Sequence, residues 1–278
     1  MDGVRQVTRE MRAIFWISLF FVFVAGIQLF GLSGSTDDWF AWTIQPPLTA
    51  AFLGAFYLAS CLINIGGLRQ REWDRAGVPI LGVIAFVWAM LVATLLDLDK
   101  FHLDDDDLIP AFAAWVWLAV YVLEPPLLVW LYARQLRAPG GKGPCDADLP
   151  PWFRYYWIAL GSVLVVAGAT LFIAPGSSDQ LWAWTLTPLT ARATGATLIG
   201  IGVVGVCVGL QQCWARVRYS LAATLTLAVL VGVALLRYPE TFDSASAAGI
   251  SFLVALALLL AGSAYGVLAS RWGRAPGG

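Results

Sequence analysis

Charge is what this sequence has least of. Asp, Glu, Lys and Arg make up 13% of its 278 residues, while 59% are hydrophobic. Soluble domains carry about 25% charged residues, so a water-facing surface of this size cannot be covered and a soluble globular enzyme is excluded. The wealth of aliphatic and aromatic side chains excludes collagen-like, disordered and disulfide-scaffold chains. A single histidine, His102, rules out two-histidine haem ligation within one chain. The four cysteines (Cys61, Cys145, Cys207, Cys213) form no CxxC pair and no repeated spacing, so neither a zinc site nor a disulfide framework is expected. Cys61 and Cys207 lie in apolar runs, where a thiol behaves as a small hydrophobe. No strongly basic surface accompanies the net charge of −1, so nucleic acid is not an expected partner. No nucleophile–base set, phosphate loop or metal motif is present. No cofactor is implied, and an enzyme is the less favoured reading.

What the chain does have is long apolar segments. Eight runs with almost no charge cover 13–32, 48–68, 76–96, 108–133, 155–174, 189–215, 219–236 and 245–270. A bilayer core needs about 20 helical residues, and only a helix satisfies all backbone groups within one such segment. The expected fold is an all-α integral membrane protein with eight transmembrane helices, the short seventh run being the weakest. Arg5, Arg9 and Arg12 precede the first run, but it is too long for a signal-peptide core and no small-x-small site follows, so it reads as a retained helix.

Orientation follows from loop cations. With the N-terminus inside, 14 of the 17 Lys and Arg residues fall in inner segments; the outer loops hold only Lys100 and Arg237, and Arg192 opens a span. Asp37, Asp38, Asp97, Asp99, Asp104–Asp107, Asp179, Glu240 and Asp243 gather outside. Both termini are therefore expected in the cytoplasm of a cell with an inner membrane.

The chain also matches itself. At an offset of 142, positions 25–46 fall on 167–188 with 11 identities in 22, including Ala41-Trp42-Thr43 on Ala183-Trp184-Thr185 and Asp37 on Asp179. After a one-residue gap, Pro47-Leu48-Thr49-Ala50 falls on Pro188-Leu189-Thr190-Ala191. The expected organisation is two parallel four-helix repeats, 1–136 and 154–278, joined by a cytoplasmic linker, 137–153. Transporter sites often lie where such repeats meet.

The duplicated element has a structural reading. Ser35, Asp37, Ser177 and Asp179 suit the N-caps of short interfacial helices. Trp39, Trp42, Trp182 and Trp184 suit half-wet headgroup positions, and Pro47 and Pro188 suit first helical turns. Its functional reading is a paired outer vestibule, in which Trp42, Trp184, Thr43, Thr185, Asp37 and Asp179 clasp an amphiphile or a lipid end.

Glu124 is the one acidic residue deep in a span, and a carboxylate at that depth is a functional-site hypothesis by default. Pro125 and Pro126 should kink its helix and draw Glu124 from helical geometry. The alternative is a neutral Glu124 bonded to a freed carbonyl. Arg192 is expected about 15 Å above it, close to a lipid phosphate, Asp179 or an entering ligand rather than in direct pairing. The loop 97–107 reads as solvated and topogenic. Gly195, Gly200, Gly202, Gly205 and Gly209 in the sixth run, with Gly262 and Gly266 in the eighth, read as close-packing positions.

The expected function is a permease-like or lipid- and amphiphile-binding membrane protein, with Glu124 lining a site between the repeats and Arg192 toward its outer mouth. The alternative is a non-catalytic subunit or scaffold of a membrane complex, and a lipid-modifying enzyme stands third. The expected partners are membrane lipids, a small amphiphile, and either another membrane protein or a second copy of the chain.

Overall fold

The computed structural model of the chain describes residues 3–145 and 147–272. Arg274 and the ends of the two expected repeats, 1–2 and 273–278, lie outside the described residues. The chain is 78% helical, with no strand among the described residues. Among the described residues, seven helices are long and apolar enough to cross a membrane: α1 (Arg9–Gly26, carried on by a π-helical turn, Ile27–Gly31), α3 (Pro47–Arg69), α6 (Leu108–Arg137), α7 (Pro151–Ile173), α9 (Pro188–Gly209), α10 (Trp214–Arg237) and α11 (Ala247–Trp272). An eighth apolar helix, α5 (Ile80–Leu96), has 17 residues. The remaining helices are single turns: α2 (Thr36–Trp39), α4 (Trp73–Ala76) and α8 (Ser178–Leu181).

These limits depart from the sequence reading in two places. The third run, not the seventh, gives the short helix. Gly77-Val78-Pro79 makes a turn before Ile80, and Asp97 ends the helix by entering an ion pair, leaving about 25 Å of helix. The sixth run, expected to 215, stops at Gly209, and the polar pair Gln211-Gln212 lies in the turn that leads to α10.

Helix starts follow local chemistry. Proline opens α3, α7 and α9, where its missing N–H costs nothing. The Thr8 hydroxyl accepts from Met11 N at 3.3 Å, and that of Thr187 from Thr190 N at 3.3 Å. Ser35 and Ser177 do stand at the caps of α2 and α8, but without a side-chain bond to the helix.

α9 and α3 form the centre, with 72% and 61% of their apolar stretches buried, against 22% for α1 and α11. α3 packs on α1 and α10, α9 packs on α7 and α5, and α6 and α11 lie outside α5 and α10. α7 and α9 approach backbone to backbone along much of their length. A methyl added at Gly168 would sit 2.6 Å from Gly195 O, and one at Gly202 would sit 2.6 Å from Gly161 O. Without glycine these backbones could not approach, and close approach is what membrane helices gain from small residues.

At the arginine-rich end, loops are tied into a plate. Arg216 Nε donates to Asp74 Oδ2 at 3.0 Å, and Gly143 N donates to the same oxygen at 3.0 Å. Gln135 accepts from Thr8 N and donates to Gln6 O, both at 2.8 Å. Cys145 and Cys213 form a disulfide, a pairing that the cysteine spacing gave no reason to expect. A separation of 68 residues hides the pairing in sequence. The segment after Cys145 runs beside Cys213, with Leu149 N donating to Gln212 O at 2.9 Å, and that brings the sulfurs together.

Candidate functional site

Glu124 sits midway along α6, where apolar neighbours leave its carboxyl few partners. Pro125 and Pro126 cannot donate to the carbonyls of Tyr121 and Val122, yet α6 runs unbroken through all of them and Glu124 stays helical. Two lost hydrogen bonds in a 30-residue helix leave the rest of the ladder to hold it, so the expected displacement of Glu124 does not occur. Its partner is not a freed carbonyl. Ser18 Oγ, on α1, donates to Glu124 Oε1 at 2.9 Å.

Around this pair α1, α3, α5 and α6 stand apart. A cavity of about 80 Å³ is walled by Phe15 and Ser18 of α1, Tyr57 and Asn64 of α3, Phe86 of α5, and Tyr121 and Glu124 of α6. Gly200 and Val204 of α9 close its back. A second space of about 180 Å³ runs from Glu124 and Tyr57 toward Gln28, Phe40 and Phe112 at the acidic end. A third, of about 360 Å³, lies in the groove between α1 and α6, bordered by Ile17, Phe21, Val116, Leu123 and Glu124. Ser18 and Glu124 line all three. Ile17 and Leu123, on the groove's rims, are 52% and 65% exposed on the apolar outer belt. The site therefore opens sideways, toward where lipid chains would lie.

Its polar inventory is short. The hydroxyls of Tyr57 and Tyr121 meet at 2.6 Å; one donates to the other and keeps a lone pair, while the second retains its proton for another partner. Asn64 Nδ2 donates to Ser60 O at 3.1 Å, and Ser60 Oγ to Phe56 O at 2.8 Å. No Lys, Arg or His lines any of the three spaces. The chemistry is one carboxyl, a few neutral hydrogen-bonding groups and many aromatic faces.

The other residues singled out in the sequence lie elsewhere. Arg192, in the second turn of α9, reaches Asp97 at the end of α5, with NH1 at 2.8 and 2.6 Å from the two carboxylate oxygens. Within the chain its partner is thus Asp97, not Asp179 or Glu124. Trp42 is 2% exposed, enclosed by Phe40, Phe101 and Trp117, and stands behind the Trp117 ring that lines the cleft. Trp184 is 5% exposed among Phe52, Trp182 and Phe252, and its indole N–H donates to Thr49 of α3 at 2.9 Å. Of the four tryptophans expected half-wet, only Trp39 is exposed; the other three fill the gaps between loops and helix ends. Thr43 and Thr185 are exposed, as are Asp37 and Asp179.

The lone histidine ties two outer loops. His102 Nδ1 lies 3.1 Å from Phe40 O, a pure acceptor, so Nδ1 carries a proton. With the ring neutral, Thr43 Oγ1 donates to Nε2 across 3.1 Å. Ser18, Tyr57 and Tyr121 escaped the sequence reading. Tyr57 and Tyr121 are 64 residues apart, and one serine in an apolar run carries no signal.

Searches against protein-family models, curated proteins and solved structures find no match to this chain.

Proposed function

We propose that this is a permease-like or amphiphile-binding membrane protein whose ligand enters sideways between α1 and α6 and is held at Glu124. The observation that carries the reading is Glu124 itself: a mid-helix carboxyl bonded to Ser18, at the junction of three spaces, with no cation beside it. The site belongs to α1, α3, α5 and α6, with α9 as its back wall, rather than to a seam shared equally by two halves. In the same proposal α5 is an eighth span, its ends drawn into the bilayer by loop packing.

Two parallel four-helix units, 1–136 and 154–278, joined by the linker 137–153, make up the proposed architecture. Several observations support it. Long helix, single turn and proline-started helix follow each other in α1–α2–α3 and again in α7–α8–α9. The central helix of each unit packs on the third long helix of the other, α3 on α10 and α9 on α5. Ala41 O accepts from His102 N at 3.0 Å, and its offset partner Ala183 O accepts from Asp243 N at 3.0 Å. At the same offsets Ser18 falls on Leu160 and Tyr57 on Leu198, which accounts for a polar cleft in one unit and a close-packed seam in the other. The arginine-rich end is placed in the cytoplasm of a bacterial cell, with the chain in its inner membrane.

Native mass spectrometry of the gently solubilised protein tests the function. A lipid or small molecule bound to wild type and absent from Glu124→Gln is the expected result. A stoichiometric second polypeptide, indifferent to the substitution, would instead make the chain a subunit of a larger assembly and overturn the proposal.

A further inference from the structure

Resting on that reading of the cleft, we infer that its ligand is a lipophilic cation, an amphiphile whose charged head is an ammonium or similar group, exchanged for a proton at Glu124. The argument is charge complementarity. Among the residues lining the three spaces the only group able to carry a full charge at neutral pH is Glu124. The walls are otherwise apolar and include the aromatic rings of Phe15, Phe56, Phe86 and Trp117, together with Tyr57 and Tyr121. Aromatic faces attract cations, most strongly where water is excluded. An anionic head would meet the same faces and a carboxyl with no cation to offset either.

An ionised carboxylate inside an apolar cleft needs a counter-charge, and the chain supplies none there. The empty site therefore holds a proton on Glu124, and the cation replaces it. The O–H bond of the carboxylic acid breaks, one proton leaves to solvent, and the carboxylate faces the ligand's positive head. Net charge in the cleft is unchanged. The titratable groups facing Glu124 are Tyr57 from α3 and Tyr121 from α6; α1, α5 and α9 present none among the lining residues. Ser18 donates to Glu124 Oε1, which leaves Oε2 for the proton or the cation.

Tetraphenylphosphonium and tetraphenylborate have nearly the same shape and opposite charge, so they separate charge recognition from greasiness. Equilibrium binding of each to the full-length protein in detergent, with protein-free micelles subtracted, tests the inference. Phosphonium binding is expected to tighten about tenfold per pH unit while the empty site stays protonated. It should weaken about a hundredfold in Glu124→Gln and persist in Glu124→Asp, and borate should bind no better than to micelles. Should Glu124→Gln fail to accumulate, Val116→Trp takes its place; it blocks the groove between α1 and α6, two helical turns from the carboxyl, and must lower phosphonium binding. Borate binding equal to phosphonium, pH-independent phosphonium binding, or full phosphonium binding by either variant overturns the inference. If neither ion binds, yet a lipid or neutral molecule leaves with Glu124→Gln in the mass spectrum, the cation is wrong and the cleft stands. If that too is missing, both fall.

Discussion

Arg192 and Asp97 show what one ion pair does at the edge of a low-dielectric interior. Their side chains are 20% and 11% exposed, and the guanidinium holds α9 against the end of α5. Removing one partner strands the other's charge in a site nearly shut to water. Arg192→Ala is expected to cost about 2–3 kcal/mol, read as a loss of thermal stability in detergent. Arg192→Gln combined with Asp97→Asn, which leaves no stranded charge, should cost less than the sum of the two single changes. Additive costs in that cycle would show that the two groups do not interact. Sequence alone did not pair Arg192 with Asp97, because Asp97 reads as one of many loop acids until α5 is seen to end there. Glu124 was legible for the opposite reason, being alone. Its companions were not, because the pairs Ser18–Glu124 and Tyr57–Tyr121 are made by helix packing that no local spacing announces.

At the scale of elements, hydropathy located every long helix to within a few residues, because unbroken apolar runs leave a backbone no other way to satisfy itself. What it misjudged were the ends of α5 and α9, where a turn or a loop contact outweighs local hydropathy. Glycine is the sharper case. Gly168 and Gly232 are both mid-helix, yet a methyl at Gly168 would meet Gly195 O at 2.6 Å and Ile199 N at 2.8 Å, whereas one at Gly232 meets nothing within 4 Å. Gly168→Ala is expected to destabilise by about 2 kcal/mol or more through forced separation of α7 and α9. Gly232→Ala should raise stability by about 0.5–1 kcal/mol by restricting the unfolded chain. Thermal unfolding of the two variants side by side checks the pair, and equal effects would deny the seam its role.

For the molecule as a whole, the proposed arrangement in the membrane has a direct test. Single cysteines at Asp105 and at Lys142, in an otherwise cysteine-free protein, should label oppositely with a membrane-impermeant maleimide applied to intact cells. Asp105 is expected to react and Lys142 to stay protected until the membrane is opened. Labelling of both, or of Lys142 alone, would overturn the orientation. The membrane-crossing, all-helical character was the part most legible in sequence, because composition acts over the whole chain. The position of the cleft was not, since it depends on one half closing where the other does not.

The glycine seam bears on how the molecule would come apart under load. Pulled out of a bilayer by its N-terminal end, α1 should yield at low force as a separate step, because groove and cavity leave it loosely held along much of its length. Pulled from the other end, α11 and α10 should come first, and α9 and α7 should then resist together and leave in one large event. The force record would differ with the handle used, the two ends of one chain reporting two different materials.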